Sequence, residues 1–522
     1  MAQKHLSGKT DGTQNYIICS HLPRLDCGPC PEAGHCIHSL PTALLNHMLQ
    51  PDQPSAGIRC PSPPGGPDTA RSQSDLPVLQ PLLWLAAPML LGQAGQVLLQ
   101  LTDTVMIGHV GPVQLAGAAL AGNFVMFALY FAYGALGAVS PRIAGAFGAG
   151  ATAEAARTMR AGVLLALVIG LAIALALAAV APFLGQLGQP PEVAASCRGY
   201  LLLIACSLPA ALIAVVLGQV AEAVDRPWPV LGFMGAAVAF NAGLNWLLIF
   251  GHWGCPALGL EGAGWATLAA RWLHAATLAA WICLDWGMRP FWRVPVGRSV
   301  FALTGQLFRQ GLPVAAQDVV EGGSFAAGSL MLGWAGTMAL AANQVTIGIA
   351  SLAWMIPVSL SMATGVRVAQ AAGAGDIATA RRTGIAGVAL GAGLMAACAL
   401  VYTTSGGWLA RCFTDDEEVA RLASTLVAIA GIYQISDGIQ SVSLGALRGL
   451  MDNRVPLVAN LICYWGLSLP TVYLLAFHFG WGAAGVWAGY LPWMVLTGLF
   501  FLWRFLRLTR AGGPLPASTT SR

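Results

Sequence analysis

The sequence predicts an all-α integral membrane protein: twelve transmembrane helices in two six-helix lobes that repeat in parallel, preceded by a disordered N-terminal tail. Three observations predict it. The chain is 56% hydrophobic and only 9% charged, whereas a soluble domain carries about 25% charged residues. From Leu82 onward, apolar segments follow one another with short polar breaks, each long enough for a hydrocarbon layer of roughly 30 Å. Finally, the stretch from Pro88 to Leu165 recurs without a gap 225 residues further on, so that Pro88 falls on Pro313 and Arg142 on Arg367. Gly148-Ala149-Gly150 falls on Gly373-Ala374-Gly375, and between Met106 and Leu165 21 of 60 positions are identical. An apolar chain that duplicates half of itself points to a transporter, because transporter repeats meet at the substrate site.

Residues 1–79 come first and do not fit the rest. They are rich in Pro, Ser, Gly, His and Cys, with no apolar run able to span a membrane and no signal-peptide core. Cys27, Cys30, Cys36 and His38 form a CxxC-x5-C-x-H cluster of zinc-ligand residue types. The stretch around it has no hydrophobic residues to build a core, so the expectation is a disordered tail, or sequence translated from upstream of the true start. A tail of either kind would be dispensable.

The spans follow. Their expected positions are 82–107, 115–141, 158–184, 198–221, 228–250, 260–284, 311–335, 341–366, 384–408, 422–446, 455–477 and 484–506. The first six make an N-lobe over 80–284 and the last six a C-lobe over 311–507, with a polar linker at 285–310 and a tail at 508–522. An even number of spans per half keeps both halves in one orientation, which places the pseudo-two-fold axis along the membrane normal. Loops on the side of the linker hold 17 basic residues, and opposite loops hold three: Arg198, Arg411 and Arg421. The positive-inside rule then puts both termini, the linker and the C-terminal tail in the cytoplasm. The net charge of +4 is small and does not suggest a nucleic-acid partner. The seven cysteines after residue 79 are scattered singly and are expected to be small core residues.

Within the spans, four acids stand out. Asp103 lies near the end of the first, Asp318 and Glu321 in the seventh, and Asp437 in the middle of the tenth. A carboxylate in hydrocarbon costs about 2.5–3.5 kcal/mol even on lenient scales, so it survives by facing water, binding a cation or carrying a proton. Asp318 and Glu321 are i, i+3 and share a helix face; Asp318 is close enough to the cytoplasmic end to be solvated. Tyr433 and Asp437 are i, i+4, which lets the phenol ring face a cation bound at the carboxylate. Asn241 and Asn245 are also i, i+4, with interhelical hydrogen bonding as the alternative reading. The repeat does not duplicate the acids: Asp103 falls on Gly328, and Glu321 on Gln96. Arg271, midway along the sixth span, is the one intramembrane base, expected to snorkel or to pair with a neighbour. Pro88, Pro209, Pro313 and Pro357 lie in or near the starts of spans, where they let helices bend.

LTDTVMIGHVG, LAGAAL and GAFGAG in the first half, with GLPVAAQDVVEGGSF, LAANQV and VRVAQAAGAGD in the second, resemble the multidrug and toxic compound extrusion (MATE) family. The resemblance covers about residues 80–507. YQISDGIQ followed by GALRGLMDNRVP, together with Glu321, points to its NorM-like branch; NAGLNWLLIFG has Asn245 where the DinF-type branch carries Asp. The resemblance implies that Asp103 is the N-lobe acid, a protonation site. It implies that Glu321 and Asp437 are the C-lobe carboxylates of a cation site with Tyr433 nearby. Asn241 and Asn245 would face the substrate cavity, with Asp318 and Gln344 as further cavity candidates. Asn343 departs from the His found there in many members.

The resemblance implies a monomeric, multi-pass antiporter of the bacterial inner membrane. It would export amphipathic organic cations and other toxic compounds by alternating access, in exchange for Na+ or H+. No cofactor is implied beyond the coupling ion, and the partners are small-molecule drugs or toxins and the lipid bilayer. Two alternatives remain. A lipid-linked sugar flippase of the same superfamily would line its cavity with several bases, where this chain offers Arg271. A membrane-embedded enzyme would need a nucleophile or metal motif, and neither HExxH nor GxSxG occurs.

Overall fold

Helix boundaries follow local chemistry. Pro112, Pro191 and Pro227 open helices at their first position, where a missing N–H leaves no bond unmade. Asp376 and Asp416 cap two others by accepting from the N–H groups of Thr379 and of Glu418 and Val419. The hydrogen bonds from Thr379 hold the Asp376 carboxyl below its ordinary range. Gly251, at φ 74°, ends one helix in the left-handed conformation.

The computed structural model describes residues 76–186, 188, 190–285, 288–289, 291 and 299–510. The Cys27, Cys30, Cys36 and His38 cluster lies outside them, as does the end of the C-terminal tail. The first half comprises α1 (Leu76–Gly108), α2 (Pro112–Leu136), α3 (Val139–Gly148), α4 (Thr152–Val180), α5 (Pro191–Ala223), α6 (Pro227–Phe250) and α7 (Leu260–Leu284). The second comprises α8 (Ser299–Trp334), α9 (Thr337–Gly373), α10 (Ile377–Arg411), α11 (Glu417–Gly449), α12 (Arg454–His478) and α13 (Gly482–Leu508). With α2 and α3 forming one span, eleven of these spans are long and apolar enough to cross a membrane. The twelfth, α8, has lower hydropathy because Gln317, Asp318 and Glu321 interrupt it, but it packs in the same bundle, against α2 and α4. The chain is a multi-pass membrane protein of twelve spans.

Several details differ from expectation. The second span breaks at Gly137 and Ala138, whereas its repeat counterpart α9 runs on unbroken through Pro357. Helix α8 begins at Ser299 and not near 311: polar residues such as Gln306, Arg309 and Gln310 extend the helix beyond its apolar part. Many arginines expected in loops sit in helices, including Arg142 in α3 and Arg448 in the last turn of α11. The seven described cysteines are free, but only Cys197 is buried, while Cys206, Cys283 and Cys412 are exposed. On a spanning helix the outward face meets lipid, so a small apolar residue suits either face.

The halves join at their arginine-rich ends. One core cluster runs from Leu82 and Leu85 through Leu136, Ile143 and Met159 in the first half to Leu307, Leu360 and Val366 in the second. Clusters nearer the opposite end stay within one half: Leu177, Leu201 and Leu208 in the first, Tyr433, Tyr464 and Trp487 in the second. The inter-half contacts obey the repeat. Helix α1 packs on α9 as α8 packs on α2, and α3 meets the end of α9. A Cβ on Gly148 would lie 2.7 Å from the Gln370 carbonyl carbon, and one on Gly373 would lie 2.7 Å from that of Gly145. The 225-residue offset maps each of these contacts onto the other, and only glycine admits both. Beside this crossing, Arg367 Nη1 donates to Asp225 at 3.0 Å and Gln370 Nε2 to Asp225 Oδ1 at 3.1 Å. Gln370 also donates to the Ala223 carbonyl at 3.0 Å, and Arg367 to that of Pro81 at 3.2 Å.

Candidate functional site

The sequence-selected polar residues gather into two clusters, one per half. In the first, α1 contributes Asp103, α6 contributes Asn241 and Asn245, and α7 contributes Thr267. Asn245 Nδ2 donates to Asp103 Oδ1 at 2.5 Å, and Thr267 Oγ1 donates to Asp103 Oδ2 at 2.9 Å. Asn245 Nδ2 also reaches Asn241 Oδ1 at 3.1 Å, and Asn241 Nδ2 reaches Thr267 Oγ1 at 3.5 Å. Asp103 is 7% exposed, and its three partners are more deeply buried still. Both carboxylate oxygens therefore accept hydrogen bonds in a site closed to bulk water, and the i, i+4 spacing of the asparagines is what lets both amides face one carboxylate. Thr267 was not singled out by sequence: a hydroxyl in a spanning helix usually bonds its own backbone and carries no distinguishing pattern.

Arg271 lies one turn beyond Thr267 on α7. Its Nη1 donates to Ser207 Oγ at 2.8 Å, and Ser207 donates to the Ile204 carbonyl at 2.6 Å. Asp103 is within electrostatic reach of the guanidinium but not paired with it. Arg271 thus bonds inside the half, and is not the only base within a helix, given Arg142 and Arg448.

In the second half, Asp437 on α11 is 2% exposed. Ser441 Oγ donates to its Oδ1 at 3.0 Å, while Oδ2 is buried with no hydrogen-bond partner among the described residues. Glu321 on α8 is half-buried and interacts with Asp437 and with the Tyr464 hydroxyl. Gln440 Nε2 donates to that same hydroxyl at 2.8 Å. Tyr433 belongs here too, its ring packed edge-on against Phe325 at 6.3 Å and Trp487 at 5.9 Å. Tyr464 sits in a π-helical segment, Leu461–Ser468, closed by a Leu469 N–H to Tyr464 carbonyl bond. Such segments often occur at functional sites, but hydropathy does not reveal them.

Two further candidates stand apart from these clusters. Asp318, with its side chain 30% exposed, is paired with an arginine: Arg448 Nη2 donates to Asp318 Oδ1 at 3.1 Å and also to Gln317 Oε1 at 3.2 Å. The arginine reaches it from the last turn of α11 instead of standing in a loop. Gln344 is exposed on α9 and joins neither cluster. Its neighbour Asn343 is the buried residue, accepting from Trp487 Nε1 at 3.1 Å. Among the described residues, no group of three His, Cys, Asp or Glu side chains could hold a metal ion.

The comparisons follow the same division into halves. The MatE family model matches the chain twice, over residues 88–247 and 313–474, and the two matches begin 225 residues apart, as the repeat does. The "Probable multidrug resistance protein NorM" of Rhodopseudomonas palustris is 36% identical over 437 residues, covering 82% of this chain and 91% of that protein. The one of Pseudomonas aeruginosa is 34% identical over 464 residues, covering 86% and 93%. Among solved structures, the Vibrio cholerae MATE transporter VcmN in its bent form aligns at a TM-score of 0.74 with 22% identity, covering 84% of this chain and 98% of that one. A eukaryotic MATE transporter aligns at 0.74 with 21% identity, covering 84% and 99%.

Proposed function

This chain belongs to the MatE family, and from that premise we propose that it is a multidrug antiporter that exports amphipathic organic cations and other toxic compounds in exchange for Na+ or H+. The relatives' names support the efflux reading. The observation that carries the coupling is the placement of the acids. Each half holds a buried carboxylate cluster built from several helices, away from the arginine-rich end where the halves are clamped together. We place that end in the cytoplasm of a bacterial inner-membrane protein, by the excess of arginine there, with residues 80–284 and 299–507 as lobes, 285–298 as linker and 508–522 as tail. Asp103 then lies toward the outer end of its helix.

Glu321 and Asp437 come from different helices onto one site, with Tyr433 and Tyr464 beside them. Two neighbouring negative charges in a low-dielectric interior repel strongly unless a proton or cation joins them. An ion arriving from outside relieves that repulsion and favours the state that contains it; the drug, held in the other half, is released as the equilibrium shifts. Asp103, with both oxygens bonded, is the drug-side acid, and its protonation would break the match to Asn245 and Thr267. The protein acts as a monomer, without a cofactor beyond the coupling ion, as a secondary transporter and not an enzyme. Everted membrane vesicles with Na+ and pH gradients imposed separately test this: efflux of a fluorescent organic cation should follow one gradient. Efflux that follows neither, or that needs ATP, would refute the antiporter reading.

A further inference from the structure

Buried polar atoms without partners gather in the second half, inward of Glu321 and Asp437. Asn460 on α12 is wholly buried, and neither its Oδ1 nor its Nδ2 has a hydrogen-bond partner among the described residues. Gln317 on α8 is wholly buried too; its Oε1 accepts from Arg448, but its Nε2 has no such partner. The same holds for Arg448 Nε and Asn453 Oδ1, and for Gln440 Oε1 and Asp437 Oδ2 beside Glu321. Two contacts fix the register of α8 against α12. Asn453 Nδ2 donates to the Gln310 carbonyl at 3.2 Å, and the Tyr464 hydroxyl meets Glu321. Each of these pairs is 143 residues apart, and the same offset brings Asn460 level with Gln317. Gln317 lies one helical turn inward of Glu321, about 6 Å along the axis, and Gln310 about two turns further in.

Donors and acceptors left over together in one buried layer are the pattern that water meets, since a water molecule both donates and accepts. Left dry, each group would carry its full desolvation penalty. Asp318 and Arg448 stand at the edge of this layer, with side chains 30% and 27% exposed. Arg448 Nη2 bonds Gln317 Oε1 and Asp318 Oδ1 together. The other Asp318 oxygen faces the first half: a Cβ on Gly134 of α2 would lie 2.9 Å from it. The guanidinium thus occupies the oxygens that a small cation moving inward from Glu321 would meet first, at a point where the two halves touch.

We propose that the coupling ion leaves the Glu321 and Asp437 site through the second half itself, along a hydrated column between α8, α11 and α12 lined by Gln317 and Asn460, with the Arg448 and Asp318 pair as its inner gate. This rests on the antiporter reading and adds the inward leg of the ion's path, apart from the route the drug takes between the halves. While Arg448 holds Gln317 and Asp318, its charge repels a cation in the column. Movement of α2 away from Asp318 frees the pair to part, and the ion then takes the guanidinium's place at Asp318 and passes on to the cytoplasm. Ion flow is thereby tied to the movement of the halves.

The purified protein in liposomes, without drug, tests this. Liposomes loaded with a pH-reporting dye are given a pH gradient, and uptake of radiolabelled Na+ is followed in parallel. The wild-type protein should be tight to both ions. Arg448→Gln should raise the leak of the driving ion about tenfold or more, the scale of one charge-assisted hydrogen bond. Arg448→Lys, which keeps the charge but not the fork, should leak less. Asn460→Leu replaces the amide with an apolar group and dries the layer, so Arg448→Gln combined with Asn460→Leu should be tight again. A leak that persists in the double variant runs elsewhere and overturns the column, as does a leak in Arg448→Gln no greater than in the wild type. Should Arg448→Gln fail to fold, Asn460→Leu alone decides. It should slow gradient-driven efflux of a fluorescent organic cation about tenfold while the detergent-solubilised protein binds that cation as the wild type does; unchanged efflux rejects the proposal. Wild-type efflux that neither gradient drives refutes the antiporter reading, and the ion route with it.

Discussion

Asp103 and Asp437 are both buried, yet their oxygens are served differently. Asp103 has a donor on each oxygen, whereas Asp437 has a donor on one and leaves the other without a partner among the described residues. A carboxylate left with an unmet acceptor in the interior is costly, and the cost is removed when a proton or cation arrives. Glu321→Gln or Asp437→Asn keeps the shape and removes the charge. Each should therefore reduce gradient-driven efflux by about tenfold or more, with expression unchanged, since an intramembrane acid is costly to keep unless it functions. Near-normal efflux in the double variant would dismiss the second-half acids as coupling groups. Thr267→Ala makes a complementary case. It strips one donor from Asp103, an interaction of about 1.5–3 kcal/mol for a charged acceptor, so efflux and thermal stability of the purified protein should both fall, whereas a change in neither would mean that Thr267 does not support the acid. At this scale the acids and asparagines were legible because a charge or amide is conspicuous among apolar neighbours. Thr267, Ser441 and Tyr464 were not, because hydroxyls are ordinary in spanning helices. Arg448, two residues past the expected end of the tenth span, lies in the last turn of α11, because the helix continues beyond its apolar part, and its side chain meets Asp318.

At the scale of elements, hydropathy marks eleven of the spans but not their internal geometry. The break after Leu136 and the π-helical turns of α12 leave average apolarity unchanged, and the early start of α8 runs through polar residues outside its apolar part. The repeat marks the residues at which α3 crosses the end of α9, though the crossing itself is seen only in the structure. The glycines conserved between the halves, Gly148 and Gly373, are those at which each backbone touches the other. Prolines were legible too: Pro88 and Pro313 occupy equivalent positions inside α1 and α8, where each removes a helix hydrogen bond. The crossing leads to a stability prediction. Gly373→Ala places a methyl group against the Gly145 carbonyl, and overpacking of this kind costs about 1–3 kcal/mol. The variant should unfold at a lower temperature in detergent than the wild type. Gly92→Ala is the control, because a Cβ there meets nothing within 4 Å and alanine is the better helix former. Equal melting of the Gly373 variant and the control would show that the two halves do not depend on this close approach.

For the molecule as a whole, the two halves share a core at one end and keep separate cores at the other. A repeat predicts that halves meet about an axis, but not which end is closed; that depends on side chains from distant parts of the chain, such as Arg367, Gln370 and Asp225. The repeat equivalent of Arg367 is Arg142, which instead bonds Gln310 at 3.4 Å and lies 3.7 Å from Glu154. The clamp is thus asymmetric, with one strong arm at Asp225. Asp225 adopts φ 64°, a left-handed conformation that Asp and Asn tolerate better than most residues, so Asp225→Asn removes the charge without straining the backbone. A partly exposed ion pair contributes about 1 kcal/mol at most, which corresponds to roughly a fivefold shift between two conformers. Spin labels at Ala153 and Ala378, exposed equivalents in the two halves at the clamped end, would report that shift in a background with the other cysteines replaced. Asp225→Asn should enlarge the population with a longer label separation, and Arg367→Gln should do the same. Because the two side chains form one pair, the double variant should exceed neither single variant by much. Distance distributions identical to wild type in both single variants would mean that apolar packing alone, from Leu136 to Leu360, holds this end shut.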